Sequence, residues 1–85
     1  MATVFVTPTA QAEFMELPQP IRPRVLAVFR RLANWPRVSG VKALRGSLAG
    51  NFRIRTGDYR VIFYYTKSTD TITVWKIGYR GDIYD

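Results

Sequence analysis

The sequence predicts an α+β domain of order β-α-α-β-β-β, a helical hairpin packed on a four-stranded, mostly antiparallel sheet. Three observations predict it. The first half of the chain carries apolar residues at helical spacing, with prolines where helices begin and end. The second half is rich in β-branched and aromatic residues and is cut at two short polar turns. At 85 residues the chain has room for one core, so residues 1–85 are read as a single domain.

Thr3 to Val6 is a short β-rich run, and Thr7-Pro8 reads as an N-cap followed by proline at the first helical position. Ala10, Phe14 and Leu17 then recur at i, i+4 and i+7, and Pro18-Gln19-Pro20 stops the helix after Leu17. A second amphipathic segment places Ile21, Val25, Val28, Phe29 and Leu32 on one face and Arg22, Arg24, Arg30 and Arg31 mostly elsewhere. Pro23 falls in its first turn, and Trp35-Pro36 ends it just beyond Asn34. From Pro36 to Gly50 no period is sustained, which predicts a loop with a brief ordered stretch at Val41 to Leu44. The period then switches to strands at Asn51 to Thr56, Tyr59 to Thr66 and Thr71 to Tyr79, a meander divided by Gly57-Asp58 and by Lys67-Ser68-Thr69-Asp70.

Composition narrows the function. Hydrophobic residues make up 47% of the chain, enough for a core and too many for a disordered segment. No cysteine is present, which removes disulfides, thiolate metal sites and a cysteine nucleophile and fits a cytoplasmic protein. No stretch of roughly 18 apolar residues predicts a membrane span, and the N-terminus lacks the basic flank and apolar run of a signal peptide. The 13 cations outnumber the 6 acidic residues and give a net charge of +7, a field suited to polyanions. Ten of those cations are arginines, whose planar fork binds phosphate bidentately.

The turn sequence fixes where several of them meet. Glycine leads in Gly57-Asp58, as in a type II′ two-residue hairpin, and this register opposes Thr56 to Tyr59, Arg55 to Arg60, Ile54 to Val61 and Arg53 to Ile62. One face of the hairpin is then core, and the other presents Arg53, Arg55 and Arg60. Like charges directly opposed across strands are destabilising, by about 0.2–1 kcal/mol, so an anion between them is the reading that explains the cluster. The alternative is that the long side chains splay into water and pair with Asp58, Asp70 or Asp82. Beyond the last strand, Arg80 and Tyr84 add a cation and an aromatic ring able to stack on an unpaired base, unless Tyr84 simply packs as a terminal aromatic.

Much chemistry is excluded. Histidine is absent, so the imidazole acid/base pair of a free-standing ribonuclease cannot be built, and no serine can be activated by one. The six acidic residues show no metal-ligand spacing, and no glycine-rich phosphate loop occurs, so no cofactor is expected.

Lys42-Ala43-Leu44-Arg45-Gly46, Phe52-Arg53-Ile54-Arg55, Gly57-Asp58-Tyr59-Arg60-Val61-Ile62 and Ile77-Gly78-Tyr79-Arg80 with Asp82-Ile83-Tyr84 together resemble the RelE branch of the RelE/ParE toxin superfamily. The resemblance spans nearly the whole chain. It implies a toxin that cuts mRNA in the ribosomal A site by directing a ribose 2′-hydroxyl at the adjacent phosphate, without a metal, and that an antitoxin protein neutralises by laying a helix on its apolar and basic surface. On this resemblance Arg53 and Arg55 match two basic positions before the hairpin, Arg60 the transition-state arginine, Arg80 the C-terminal arginine and Tyr84 the terminal tyrosine. Lys42, Arg45 and Tyr79 are expected to hold RNA beside them, and the basic helix face to grip ribosomal RNA.

The sequence departs from the family where lysines are common at positions 53 and 55, and histidine or lysine at 79. Arginine stays protonated, with a pKa above about 12, so Arg53 and Arg55 are assigned to charge stabilisation, and Tyr84 is left as proton acceptor or base-stacking group. Two other readings share the fold. One is a ParE-like inhibitor of DNA gyrase, and the other is a catalytically silent relative that binds only RNA or an antitoxin.

Overall fold

The computed structural model describes residues 1–79 of the chain. In chain order the elements are β1 (Thr3–Val6), α1 (Pro8–Met15), α2 (Arg22–Leu32), β2 (Val41–Ala43), β3 (Phe52–Thr56), β4 (Tyr59–Thr66) and β5 (Thr71–Tyr79). Short 3₁₀ turns at Gly46–Leu48 and Lys67–Thr69 join the later strands. The sheet order is β1-β5-β4-β3-β2, with β1 parallel to β5 and every other pair antiparallel.

The sheet therefore has five strands, where the sequence predicts four. The extra one is β2, the brief ordered stretch of the predicted loop. Its three residues are too few to display a period, and strand conformation is imposed on them by β3, which pairs Val41 with Ile54, Lys42 with Arg53 and Ala43 with Phe52.

Both helices begin and end for local reasons. The Thr7 hydroxyl accepts the Ala10 N–H at 3.2 Å and caps α1, with Pro8 in the first turn. The helix stops at Met15, before Leu17, where a tighter Leu17 N–H to Phe14 carbonyl bond closes the last turn. Arg22 then donates through Nη2 to the Met15 carbonyl at 2.6 Å and through Nε to the Leu17 carbonyl at 3.2 Å, satisfying acceptors that a helix end leaves open. Arg31, in the last turn of α2, donates to the Ser39 carbonyl at 2.7 Å and ties down the connection to β2. Two of the helix arginines are thus structural staples.

The predicted stripes form the core. Ala10 and Leu17 from the first helical segment and Val25, Val28 and Leu32 from α2 bury against Ile54, Val61, Phe63, Ile72, Val74 and Ile77 of the sheet. Trp35 closes one end, with ring centroids 5.0 Å from Phe52, 5.5 Å from Phe63 and 5.8 Å from Tyr65. At the far turn the Tyr65 hydroxyl donates to Asp70 at 2.8 Å, and this bond with the nearby carboxylate raises the phenol's pKa above its usual 10.0.

One irregularity decides which side chains share a face. Ile62 pairs with Lys76 and Phe63 with Val74, so Trp75 is an extra residue in β5. A bulge of this kind sets two consecutive residues against one partner. Trp75 is turned to the Ile62 side, Lys76 pairs with Ile62 but sends its ammonium to Glu13 of α1, and Ile77 returns to the core opposite Val61. The β5 edge beyond β1 is closed by Glu13 of α1. Its Oε1 accepts the Ile77 N–H at 3.0 Å while Oε2 accepts from Lys76 Nζ at 2.8 Å.

Candidate nucleic-acid interface

The side of the sheet opposite the helices carries the predicted cluster. The turn places Gly57 at φ 62, and the β3–β4 register is the predicted one throughout: Phe52 with Phe63, Arg53 with Ile62, Ile54 with Val61, Arg55 with Arg60 and Thr56 with Tyr59. β2 adds Lys42 directly beside Arg53. Two cation pairs therefore stand side by side, Lys42 with Arg53 and Arg55 with Arg60. Directly paired residues have Cβ atoms about 4.5–5.5 Å apart. Arg53 and Arg55, two residues apart on one strand, are separated by about 6.6 Å. Four cations thus occupy a patch the size of one or two phosphate groups.

Exposure within the patch is uneven. The hairpin reading put all three arginines on an open face; Arg55 is exposed, but Arg53 and Arg60 retain only 9% and 6% of their accessible surface. This side of the sheet has a thin apolar layer of its own. Ile62 and Leu44 are buried yet stand apart from the helix-side core. From α2, Arg24 reaches the hairpin, its Nη1 3.4 Å from where a side chain on Gly57 would begin. The basic helix thus borders the cluster at its turn.

The other predicted site residues divide. Lys42 joins the cluster, and Arg45 is exposed just past β2, at the start of the Gly46–Leu48 turn. Tyr79 does not join. Gly78 is the residue opposite Arg60, and Tyr79 pairs instead with Tyr59 on the helix side, in an edge-to-face ring contact of 5.4 Å. There it lines a cleft of about 350 Å³ with Glu13, Glu16 and Pro18. Arg80 and Tyr84 lie outside the described residues, as does Asp82. Of the two other predicted ion-pair partners, Asp70 is taken by Tyr65, at the opposite end of β4 from the arginines. Among the described residues no three acidic, imidazole or thiol side chains come together as a metal site.

Trp75 and Asn51 were not singled out by sequence reasoning. The indole Nε1 donates to Asn51 Oδ1 at 2.8 Å, and the same amide donates to the Leu48 carbonyl at 3.2 Å. Asn51 precedes β3, so this bond carries the indole across β4. The available signal was the spacing of Ile72, Val74 and Ile77, where a step of three interrupts the alternation and marks an inserted residue.

Comparison with known proteins decides the family. Residues 4–84 match the profile of the ParE toxin of the parDE type II toxin-antitoxin system. The chain belongs to the RelE/ParE superfamily of type II toxins. It is 36% identical to Toxin RelG of Mycobacterium tuberculosis over 96% of this chain and 94% of that protein. Among solved structures, the fold is similar to a chain of the RelBE2 toxin-antitoxin complex of M. tuberculosis, with a TM-score of 0.83 and 30% identity over 93% of this chain and 98% of that one. It is also similar to a chain of the archaeal RelE-RelB complex of Pyrococcus horikoshii, with a TM-score of 0.76 and 26% identity over 96% and 98% of the two chains. This RelE-type toxin thus has the expected α+β architecture, with helices on one side of the sheet and the cations on the other. None of its described helices is long and apolar enough to cross a membrane.

Proposed function

We propose that this toxin is a ribosome-dependent mRNA endonuclease of the cytoplasm, working by 2′-hydroxyl attack on the adjacent phosphate without a metal. The observation that carries the reading is the pairing of Arg55 with Arg60 beside Lys42 and Arg53 on one side of the sheet. Opposed like charges cost stability, and a phosphate that gains charge as the 2′-oxygen attacks returns it. Arg60, largely withdrawn from water, is assigned to the pentacoordinate phosphate, because a cation in a water-poor site stabilises developing charge more strongly than one in solvent. Arg53 and Arg55 hold the flanking phosphates, and Lys42 and Arg45 extend the track past β2. Arg80 and Tyr84 complete the set as C-terminal cation and as proton acceptor or stacking ring.

An antitoxin protein is the expected partner, since the similar solved chains come from toxin-antitoxin complexes. The groove between β1 and the helices, lined by Val4, Phe5, Phe14, Met15, Leu26 and Phe29, offers an amphipathic segment an apolar seat.

The match to the ParE toxin profile favours the alternative that the resemblance carries, a ParE-like inhibitor of DNA gyrase. Two assays on one preparation separate them: primer extension on a reporter mRNA in reconstituted translation, with and without ribosomes, and supercoiling by purified gyrase. Cuts that need ribosomes, with supercoiling unaffected, support the endonuclease. Intact mRNA together with blocked supercoiling moves gyrase to the front.

A further inference from the structure

The arginine side of the sheet does not end at its cations. Along β4, Arg60, Ile62 and Tyr64 share this side, and Tyr64 is 41% exposed. The bulge adds Trp75 from β5, half-buried and held across β4 by Asn51. One side of one sheet thus carries four cations at the hairpin end and exposed or half-exposed aromatic rings at the other.

We propose that Trp75 and Tyr64 form a base-stacking platform for single-stranded RNA, continuing the phosphate track of Lys42, Arg53, Arg55 and Arg60. That the RNA is mRNA rests on the function proposed above. The platform itself rests on geometry and charge. An aromatic ring beside a basic track is the arrangement that binds unpaired strands, with cations on the phosphates and π-faces on the bases. Residues 60 and 64 of a strand are about 13 Å apart, which suits bases next to the nucleotide held at Arg60 and not that nucleotide itself. The Trp75 ring is fixed before any ligand arrives. Asn51 is held by Leu48 on one side and accepts from the indole on the other, so stacking costs the ring little freedom. An acidic protein segment is the competing occupant, but it would place carboxylates on the cations and has no particular use for two planar faces beyond them.

Fluorescence titration with a short adenylate oligoribonucleotide tests the platform, because stacking on Trp75 quenches its indole. The wild type is expected to bind with quenching, Trp75→Phe to bind nearly as well without it, and Trp75→Leu to bind on the order of 10-fold more weakly. Tyr64→Leu, at an exposed position with no buried role, is expected to weaken binding similarly and decides the matter if Trp75→Leu fails to fold. Unchanged RNA affinity in a folded Tyr64→Leu and in Trp75→Phe without loss of quenching overturns the proposal, as does loss of affinity for a protein partner alone. The same variants in the ribosome assay separate the two readings. Cutting by the wild type with unaltered oligomer binding in the variants removes the platform only, whereas platform-dependent binding without cutting removes the endonuclease and leaves an RNA site.

Discussion

Replacing Arg55 by glutamine should make this protein more stable and less active. Arg55 faces Arg60 directly, and relief of an opposed like-charge pair is worth about 0.2–1 kcal/mol. For a domain of this size that corresponds to a rise in Tm of roughly 1–6 °C. Arg55 is exposed, so Arg55→Gln leaves no cavity and removes no core packing. Salt provides an internal control: at about 1 M the Debye length falls to about 3 Å, shorter than the Cβ separation of the pair, and the gain should shrink accordingly. Phosphate provides a second. An anion present at ten times its Kd stabilises the folded state by about 1.4 kcal/mol, and the wild type should receive more of this than the variant. Thermal melts by circular dichroism at low salt, high salt and with added phosphate measure all three. A variant that melts lower than the wild type at low salt, with no difference in response to phosphate, would refute the like-charge reasoning.

Further predictions concern the frame that positions the cluster. Glu13→Ala strands the Ile77 N–H at the open part of the β5 edge and should cost about 1–3 kcal/mol in urea unfolding, while Glu13→Gln keeps an acceptor and should cost less than 1 kcal/mol, since its Lys76 partner is partly exposed. Phe63→Ala empties a fully buried site between Trp35 and Phe52 and should cost about 3–5 kcal/mol by the same measurement. Tyr65 should be among the last tyrosines to ionise in a spectrophotometric titration. Its raised pKa means that the protonated phenol is favoured in the fold, so the contribution of its bond to Asp70 is complete below the usual 10.0 and disappears as pH rises through the raised value. Asp70→Asn, which suits the left-handed backbone there (φ 49), should bring that ionisation back toward the usual range.

What the sequence made legible followed from short-range rules. Gly57-Asp58 set the hairpin register, and the register alone brought Arg55 to Arg60. Thr7-Pro8 began α1, and the apolar spacing of Val25, Val28 and Leu32 marked the buried face of α2. What escaped was imposed from a distance. β2 is a strand because β3 offers it an edge, and Tyr79 faces the helices because one bulge at Trp75 shifts the alternation of β5. The same bulge turned the indole toward Asn51, 24 positions away in the chain, a pairing that no local pattern announces. Likewise the burial of Arg53 and Arg60 is a property of the assembled sheet that the hairpin register alone does not announce.

The most direct test of the arginine site is single-turnover cleavage of an mRNA whose codon occupies the ribosomal A site, comparing wild type with Arg53→Ala, Arg55→Ala and Arg60→Ala. Removing a group that stabilises transition-state charge typically costs about 10²–10³ in rate. The expected result is ribosome-dependent cutting by the wild type and a loss of about that size for Arg60→Ala, with smaller losses at Arg53 and Arg55. Cutting by folded Arg60→Ala at the wild-type rate would contradict the assignment of this side of the sheet as the catalytic one.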